Sequence, residues 1–455
     1  MRFALLIRVF QASFFASFLT GSLTSSIHAA QPNILLIVID DLRWDTLGYA
    51  GHPVVKTPHI DRLAGAGFRF TESFVTTSIC CTSRASLLTG QYERRHGIDN
   101  FRKSFRNRAF AETFPALLKK NGYRTAFVGK WGLGGPLPRN EYYHFKGFSG
   151  QGQYYQKERK LHLTDLITEQ SLSFLREADE SHPFCLQVSF KAVHCQDGHP
   201  WPFQPAKRYA SRYENHAIPV PPHASEAEFQ KLPAFLQNSE ARRRWKIRFS
   251  TPELYQKSVK DYLRLITGVD DAIGRMVETL KSRGLDKNTV AIFTSDNGFY
   301  LGERGLAGKW FMHEESIRVP LFIYDPTRAR AGGREVTHTA LNIDLAPTIL
   351  DFAGLKAPES MQGRSLLPVL DGNDVAWRRD WLYEHRFQHG AIPQCEGVRT
   401  SRWKFVRFTK VRPRVEELYD LQNDPRELTN LASDPEYATV LEDLRERWKE
   451  LRDID

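Results

Sequence analysis

The chain has 455 residues, 41% hydrophobic and 25% charged, with 30 glycines, 24 prolines and a formal charge of +10. That length supplies a full core and exceeds one ordinary domain, and the composition excludes a disordered or fibrous chain. The positive balance suits an anionic partner, but no helix-turn-helix, zinc-finger or RNA-binding pattern accompanies it, so no nucleic-acid partner is expected.

Residues 1–30 read as an export signal: Arg2 and Arg8 are followed by a mainly apolar stretch from Ala4 to Leu19, and the segment ends in Ser-Ile-His-Ala-Ala. A membrane anchor is the competing reading. Gln11 and several serines leave fewer than about eighteen clean spanning residues, which disfavours stable membrane insertion. The mature chain is expected to start near Gln31, to be periplasmic or secreted, and to keep a charge of +8 once the two leader arginines are gone.

Next come short apolar runs that end abruptly in polar residues: Asn33–Ile39 before Asp40-Asp41, Arg124–Val128 before Gly129-Lys130, Phe184–Phe190 before two histidines, and Val290–Thr294 before Asp296-Asn297. Such runs are the pattern of buried, mostly parallel strands. Amphipathic stretches at Thr164–Ala178, Tyr255–Arg283 and Ile343–Phe352 predict helices between them, giving an α/β sheet covered on both faces. Ligands bind such sheets at the carboxyl ends of the strands, where these polar clusters fall. The polar insert 200–251 is expected to face substrate or to run over the surface. Past Gly372, Asp380–His385, Cys395–Arg399, Lys404–Phe408 and Glu416–Tyr419 predict short antiparallel strands, and Tyr437–Leu451 a closing helix. The expected division is a catalytic domain over 31–372 and an α+β subdomain over 373–455.

Five cysteines leave one thiol over in any full set of disulfides. Cys80 is the candidate for it, Cys185 reads as a small core residue, and Cys81, Cys195 and Cys395 are either free or paired. Cys80 opens the stretch Cys80-Cys81-Thr82-Ser83-Arg84-Ala85-Ser86-Leu87-Leu88-Thr89-Gly90, a predicted helix start whose free N–H groups and dipole favour an anion. Arg84 adds a planar fork suited to oxyanions. The plainer reading of those residues is an ordinary helix with a buried cysteine. Asp40, Asp41, Asp296 and Asn297 supply an all-oxygen donor set suited to calcium or magnesium, although each pair alone also reads as a turn. Of the basic runs, Arg94-Arg95, Arg102 to Arg108 and Arg242-Arg243-Arg244 either steer polyanions or form a solvated face.

The chain resembles the formylglycine-dependent sulfatases of the alkaline-phosphatase superfamily. The resemblance rests on Asn33–Asp41, on Cys80–Gly90, on Thr125-Ala126-Phe127-Val128-Gly129-Lys130-Trp131, on Thr294-Ser295-Asp296-Asn297-Gly298, and on Gly308-Lys309-Trp310 followed by Glu314–Pro320. It implies an alkaline-phosphatase-like, mostly parallel sheet flanked by helices, with a smaller C-terminal antiparallel sheet. It further implies that a formylglycine-generating maturation enzyme converts Cys80 to 3-oxoalanine (formylglycine), whose hydrate is the nucleophile beside one calcium ion, magnesium being the alternative. The metal set implied is Asp40, Asp41, the modified Cys80, Asp296 and Asn297. Arg84, Lys130 and Lys309 bind sulfate, Asp296 accepts a proton, and His194, with His199 as its rival, helps Lys309 protonate the leaving alcohol. Cys80 is chosen over Cys81 because Ser83 and Arg84 then fall three and four residues on. Two positions depart from the pattern: Thr82 stands where proline is usual, and Gly132 follows Trp131 where the family often has histidine, leaving His96 or a water to assist regeneration.

The reaction so implied is hydrolysis of a sulfate ester, with a sulfated sugar of a polysaccharide or glycosaminoglycan as the expected substrate and Tyr142, Tyr143, Trp201 and Trp310 as candidate faces for it. The rival readings are a phosphonate monoester hydrolase or phosphodiesterase on the same fold, and a non-catalytic sulfoglycan-binding protein.

Overall fold

The run Asn33–Ile39 carries no polar side chain after its first residue, and a strand of that kind must be covered on both faces. In the computed structural model, which describes residues 31–105, 107–155 and 161–453, it forms β1 inside an eight-stranded sheet. The pleat sends Leu35, Ile37 and Ile39 into one apolar layer and Ile34, Leu36 and Val38 into the other. The other strands of the sheet are β2 (Phe68–Phe70), β3 (Arg124–Lys130), β4 (His144–Phe148), β5 (Phe184–Ser189), β6 (Thr289–Ser295), β7 (Leu321–Tyr324) and β8 (Arg334–Val336), in the spatial order β8-β2-β7-β6-β1-β5-β3-β4. From β6 to β4 every pairing is parallel, whereas β7 runs antiparallel to both its neighbours.

Helices cover both faces. On one lie α2 (Leu163–Glu177) and the 31-residue α4 (Pro252–Ser282), whose buried Val259, Tyr262, Ile266, Val269, Ile273, Met276 and Leu280 recur every three or four residues. The α4 helix starts three residues before the predicted Tyr255 because Thr251 caps it, its hydroxyl accepting from Leu254 N at 3.2 Å, with Pro252 at the first position. On the other face lie α1 (Cys80–Thr89) and the helix Leu345–Phe352. The expected α/β architecture is therefore present, and the expected strands at β1, β3, β5 and β6 are too. The strands β2, β4 and β8 are short and carry Arg, Lys or Gly, so they form no apolar run, and β7 is apolar but only four residues long.

The C-terminal sheet is an antiparallel meander of β9 (Asp380–His385), β10 (Cys395–Thr400), β11 (Trp403–Phe408) and β12 (Val415–Asp420). Leu441, Leu444 and Trp448 of the closing helix α5 (Ala438–Asp453) pack on one face of it. Its other face holds the segment 310–314: Tyr383 donates to Trp310 O at 2.8 Å, and Lys404 donates to Met312 O and Glu314, both at 2.8 Å. All five cysteines are buried and free. Residues 1–30, where the export signal is expected, lie outside the described residues, and no helix among those described is long and apolar enough to cross a membrane.

Gly397 of β10 is where the sheet meets that segment most closely. A Cβ there would stand 2.1 Å from Phe405 O and 2.5 Å from Met312 Sδ. Gly397→Ala is therefore expected to lower stability by about 1–3 kcal/mol through overpacking, read as a lower denaturant midpoint with an unchanged slope.

Candidate active site

Four neighbouring parallel strands end at one place. Asp40 and Asp41 follow β1, Lys130 closes β3, Lys191 and His194 follow β5, and Asp296 and Asn297 follow β6. This convergence needs two special backbone positions. Gly129 has φ 106° and a Cβ there would lie 2.0 Å from Ser189 O, so only glycine lets β3 and β5 approach just before Lys130. Asp41 takes a left-handed φ of 64°, a conformation that Asp tolerates better than most residues.

Onto these strand ends α1 presents its first residue, Cys80, with Ile79 offering no side-chain cap, so the first-turn N–H groups remain open to an anion. Cys80 Sγ lies 3.3 Å from Asp40 Oδ1 and 3.3 Å from Lys309 Nζ. Burial first, then the charge of Asp40, pushes its thiol well above the usual range. The unmodified thiol is consequently held protonated and is a poor nucleophile.

Three cations and three carboxylates surround that thiol, all nearly inaccessible to solvent. Lys130 Nζ pairs with Asp40 Oδ2 and donates to Gln151 Oε1 at 2.6 Å. Lys309 Nζ pairs with Asp41 Oδ1. Arg84 Nε donates to Asp296 Oδ2 at 2.7 Å and its Nη1 to Lys130 O at 2.7 Å and to Ser189 Oγ. Against the opposing effect of burial, Lys130, Arg84 and Lys309 hold Asp40 well below the usual carboxylate range. Burial, then the neighbouring Asp40, pushes Asp296 up to about 6.

The donor set fits a hard cation. Asp41 Oδ2 and Asn297 Oδ1 are buried with no hydrogen-bond partner, and each is an oxygen acceptor of the kind calcium or magnesium takes. Oxygen, sulfur and nitrogen atoms of Asp40, Asp41, Cys80 and His194 lie within 4.8 Å of one another.

His194 Nε2 stands 3.6 Å from Asp41 Oδ2, and its Nδ1 is 2.5 Å from Cys195 O. The carbonyl accepts, so Nδ1 carries the proton and Nε2 faces the site. Burial and then Lys309 hold the ring well below 6.5, which leaves it neutral near pH 7. Lys191 donates to the same carbonyl at 3.1 Å.

The sulfatase family profile matches residues 32–355, well over half of the chain. This chain belongs to the sulfatase family. A second profile, for the C-terminal part of N-sulphoglucosamine sulphohydrolase, matches residues 302–454. An N-acetylglucosamine-6-O-sulfatase of Bacteroides thetaiotaomicron is 30% identical, the match covering 93% of this chain and 88% of that protein. An arylsulfatase of Clostridium perfringens is also 30% identical, with 91% and 93% covered. A solved structure of a protein with its substrate D-glucosamine-2-N,6-O-disulfate superposes with a TM-score of 0.80 at 29% identity, covering 93% of this chain and 99% of that one. The sulfatase is accordingly a sulfuric ester hydrolase. A phosphonate monoester hydrolase from Silicibacter pomeroyi shares the fold, with a TM-score of 0.77 at 24% identity over 93% and 95% of the two chains.

Every residue expected at the sulfatase site is brought to it, from segments as far apart as Asp40 and Lys309. The alternatives fall away from it: His199 bonds to Trp201 in the loop beyond, and His96 is held by Ser86 Oγ at 3.0 Å and Ile98 N at 3.0 Å. The aromatic expectations need correcting. Tyr142 is buried against Phe127 and Trp131, Trp310 is buried, and Tyr143 sits at the amino end of β3, opposite the site; Trp201 is half exposed, in the loop that follows His194. The run 242–244 is also not a free anion patch, since Arg242 donates to Gly305 O and both Arg243 and Arg244 bind Glu240. Gln151, Ser189 and Asp197 were missed. Asp197 is met by Arg244 at 3.3 Å and Arg248 at 3.0 Å, so part of the 200–251 insert does turn toward the site. None of the three belongs to a spacing that sequence could flag.

Gly132 explains the departure at that position. It has φ 80°, and a Cβ there would lie 2.5 Å from Arg84 Cδ. The arginine stem fills the space a side chain at 132 would enter. Gly132→Ala should therefore displace Arg84 from Asp296 and cut kcat/KM at least about tenfold, short of the hundredfold or more that follows outright loss of a transition-state donor. Unchanged steady-state kinetics would show that the arginine tolerates the shift.

Proposed function

We propose that this sulfatase removes sulfate from a sulfated sugar of a polysaccharide or glycosaminoglycan, using formylglycine made from Cys80 and a calcium ion, magnesium being the alternative. The observation that carries the reading is the charge balance around Cys80: Arg84, Lys130 and Lys309 exactly offset Asp40, Asp41 and Asp296 in number. A divalent cation then matches the single charge of a sulfate ester plus that of an ionised oxygen nucleophile. The names of the relatives that act on N-acetylglucosamine 6-sulfate support the sugar as substrate.

The cation would be held by Asp40, Asp41, Asp296, Asn297 and the modified residue 80, and would there supply Lewis-acid stabilisation and lower the pKa of a hydroxyl nucleophile. Asp296, a carboxylate of the cluster around residue 80, is suited to take the proton of that hydroxyl. Lys130, Lys309 and Arg84 bind the non-bridging sulfate oxygens. Preorganised donors of this kind contribute about 3 kcal/mol each to a charged transition state. At the leaving group Lys309 is the charged donor, its proton held by Asp41, and His194 directs Nε2 at the same space. Thr82 is buried on α1 with its hydroxyl 3.8 Å from Cys81 Sγ.

Expression with an active formylglycine-generating enzyme should give sulfate release from aryl sulfates and from 6-O-sulfated glucosamine glycans, faster than phosphate release from matched esters. Silence on every sulfate ester with residue 80 confirmed by mass spectrometry as converted would end the proposal, and faster phosphate ester hydrolysis would favour the rival. Cys80→Ala should abolish turnover with the thermal midpoint nearly unchanged. Activity retained by that variant would move the nucleophile to Cys81.

Chelation should remove activity, and calcium at a hundred times its Kd should restore it while adding about 2.7 kcal/mol of stability. A midpoint that ignores calcium and magnesium alike would refute the donor set. The leader is proposed to direct export with cleavage before Gln31, checked by N-terminal sequencing of protein from the periplasm or medium.

A further inference from the structure

The catalytic site uses three cations, yet the chain carries 63 lysines and arginines. Most of the runs singled out by sequence are tied into ion pairs, as Arg94 is with Glu384 and Arg243 with Glu240. One group is not. The turn between β11 and β12 carries Lys410, Arg412 and Arg414, and the turn after β9 carries Arg386; all four side chains are exposed. They line one cavity of about 410 Å³ on the C-terminal sheet.

Among the described residues, no carboxylate lies within 4.0 Å of a side-chain nitrogen of these four, although the Arg386 backbone N–H donates to Glu93 Oε2 at 3.4 Å. The acids at the cavity are already taken: Asp99 pairs with Lys103 at 2.8 Å, and Glu396 lies 3.8 Å from Arg94. Like charges gathered in a concavity without counter-ions repel one another and destabilise the bare protein slightly, and a polyanion relieves that repulsion. The two rings in its lining, Phe408 and Trp448, are nearly buried, with the Arg407 guanidinium 4.4 Å over Trp448, so the accessible wall is polar and cationic. Four exposed cations on two turns suit the several charges of a polyanion, and the sulfated sugar proposed as substrate is such a polyanion when polymeric.

The same loops reach the catalytic rim. Lys103 O accepts Gly134 N at 2.9 Å, two residues past the Gly132 that lies against Arg84. Ala391 O accepts Glu240 N at 2.7 Å, at the start of α3 (Glu240–Arg248), which carries Arg244.

We propose that this cavity is a second binding site, separate from the catalytic centre, for a strand of sulfated polysaccharide. It deepens the sulfated-sugar reading and rests on it. Its role is to hold polymeric substrate on the enzyme between turnovers, so it acts on KM for polymers and not on the chemistry.

The test uses the full mature protein and the variant Lys410→Ala/Arg412→Ala/Arg414→Ala, with heparin as the sulfated glycan and single-stranded DNA of equal charge as the comparison. Wild type should bind heparin more tightly than DNA. The variant should bind heparin about tenfold or more weakly, with a salt dependence lower by about two to three counter-ions. Its kcat/KM on a small aryl sulfate should match wild type, while KM on a sulfated polymer rises. Heparin binding equal in variant and wild type, or no heparin binding by wild type, overturns the proposal. DNA bound as tightly as heparin and lost in parallel overturns the glycan assignment. Should the triple variant lose its thermal midpoint, Arg386→Ala on the opposite wall decides instead, with weaker heparin binding expected and unchanged binding counting against the site. Absence of aryl sulfate hydrolysis in both proteins would fault the sulfatase chemistry, whereas heparin binding would still decide the cavity.

Discussion

Six charged groups packed around one sulfur without bulk water are the constraint from which the rest of this structure follows. Burying any one of them alone would cost several kcal/mol, and removing one partner leaves its opposite uncompensated. Asp40 with Lys130, Asp41 with Lys309, and Asp296 with Arg84 are therefore mutually obligatory. The site is rigid before substrate arrives, which is the condition for electrostatic stabilisation without reorganisation.

Such a cluster can be built only where several chain segments end together. The parallel centre of the sheet provides four strand ends side by side, and the amino end of α1 provides a fifth approach with a favourable dipole. Lys309 lies on neither kind of element. Its position is set by the segment 310–314, which Tyr383 and Lys404 of the C-terminal sheet hold by its carbonyls and by Glu314. The small sheet is thus a part of the catalytic apparatus, since the lysine beside Cys80 is anchored through it.

The close fit at Gly132 shows how one substitution reorganises such a packed centre. With no side chain there, the Arg84 stem occupies the space and its guanidinium spans Asp296, Ser189 and the Lys130 carbonyl. A histidine at that position and this arrangement of Arg84 exclude each other sterically, so the departure from the family pattern and the arginine's three-way anchoring are one feature.

Much was legible in the order of residues. An apolar run that stops dead at an acid, as Asn33–Ile39 does at Asp40, is both a buried strand and a strand end, so periodicity alone located β1, β3, β5 and β6 and the polar groups beyond them. The motif spacings, read through the family resemblance, put Cys80 with Arg84, Lys130, His194 and Lys309. What only tertiary structure decided was whatever depends on contacts between distant segments. Strands as short as β2 and β8 carry no period long enough to read, and Tyr142 looks like a surface ring until Phe127 and Trp131 close over it. Gln151 and Asp197 join the site through loops whose course no spacing encodes. Local pattern reports which residues must leave water, whereas the identity of the neighbours that replace the water is fixed by long-range packing.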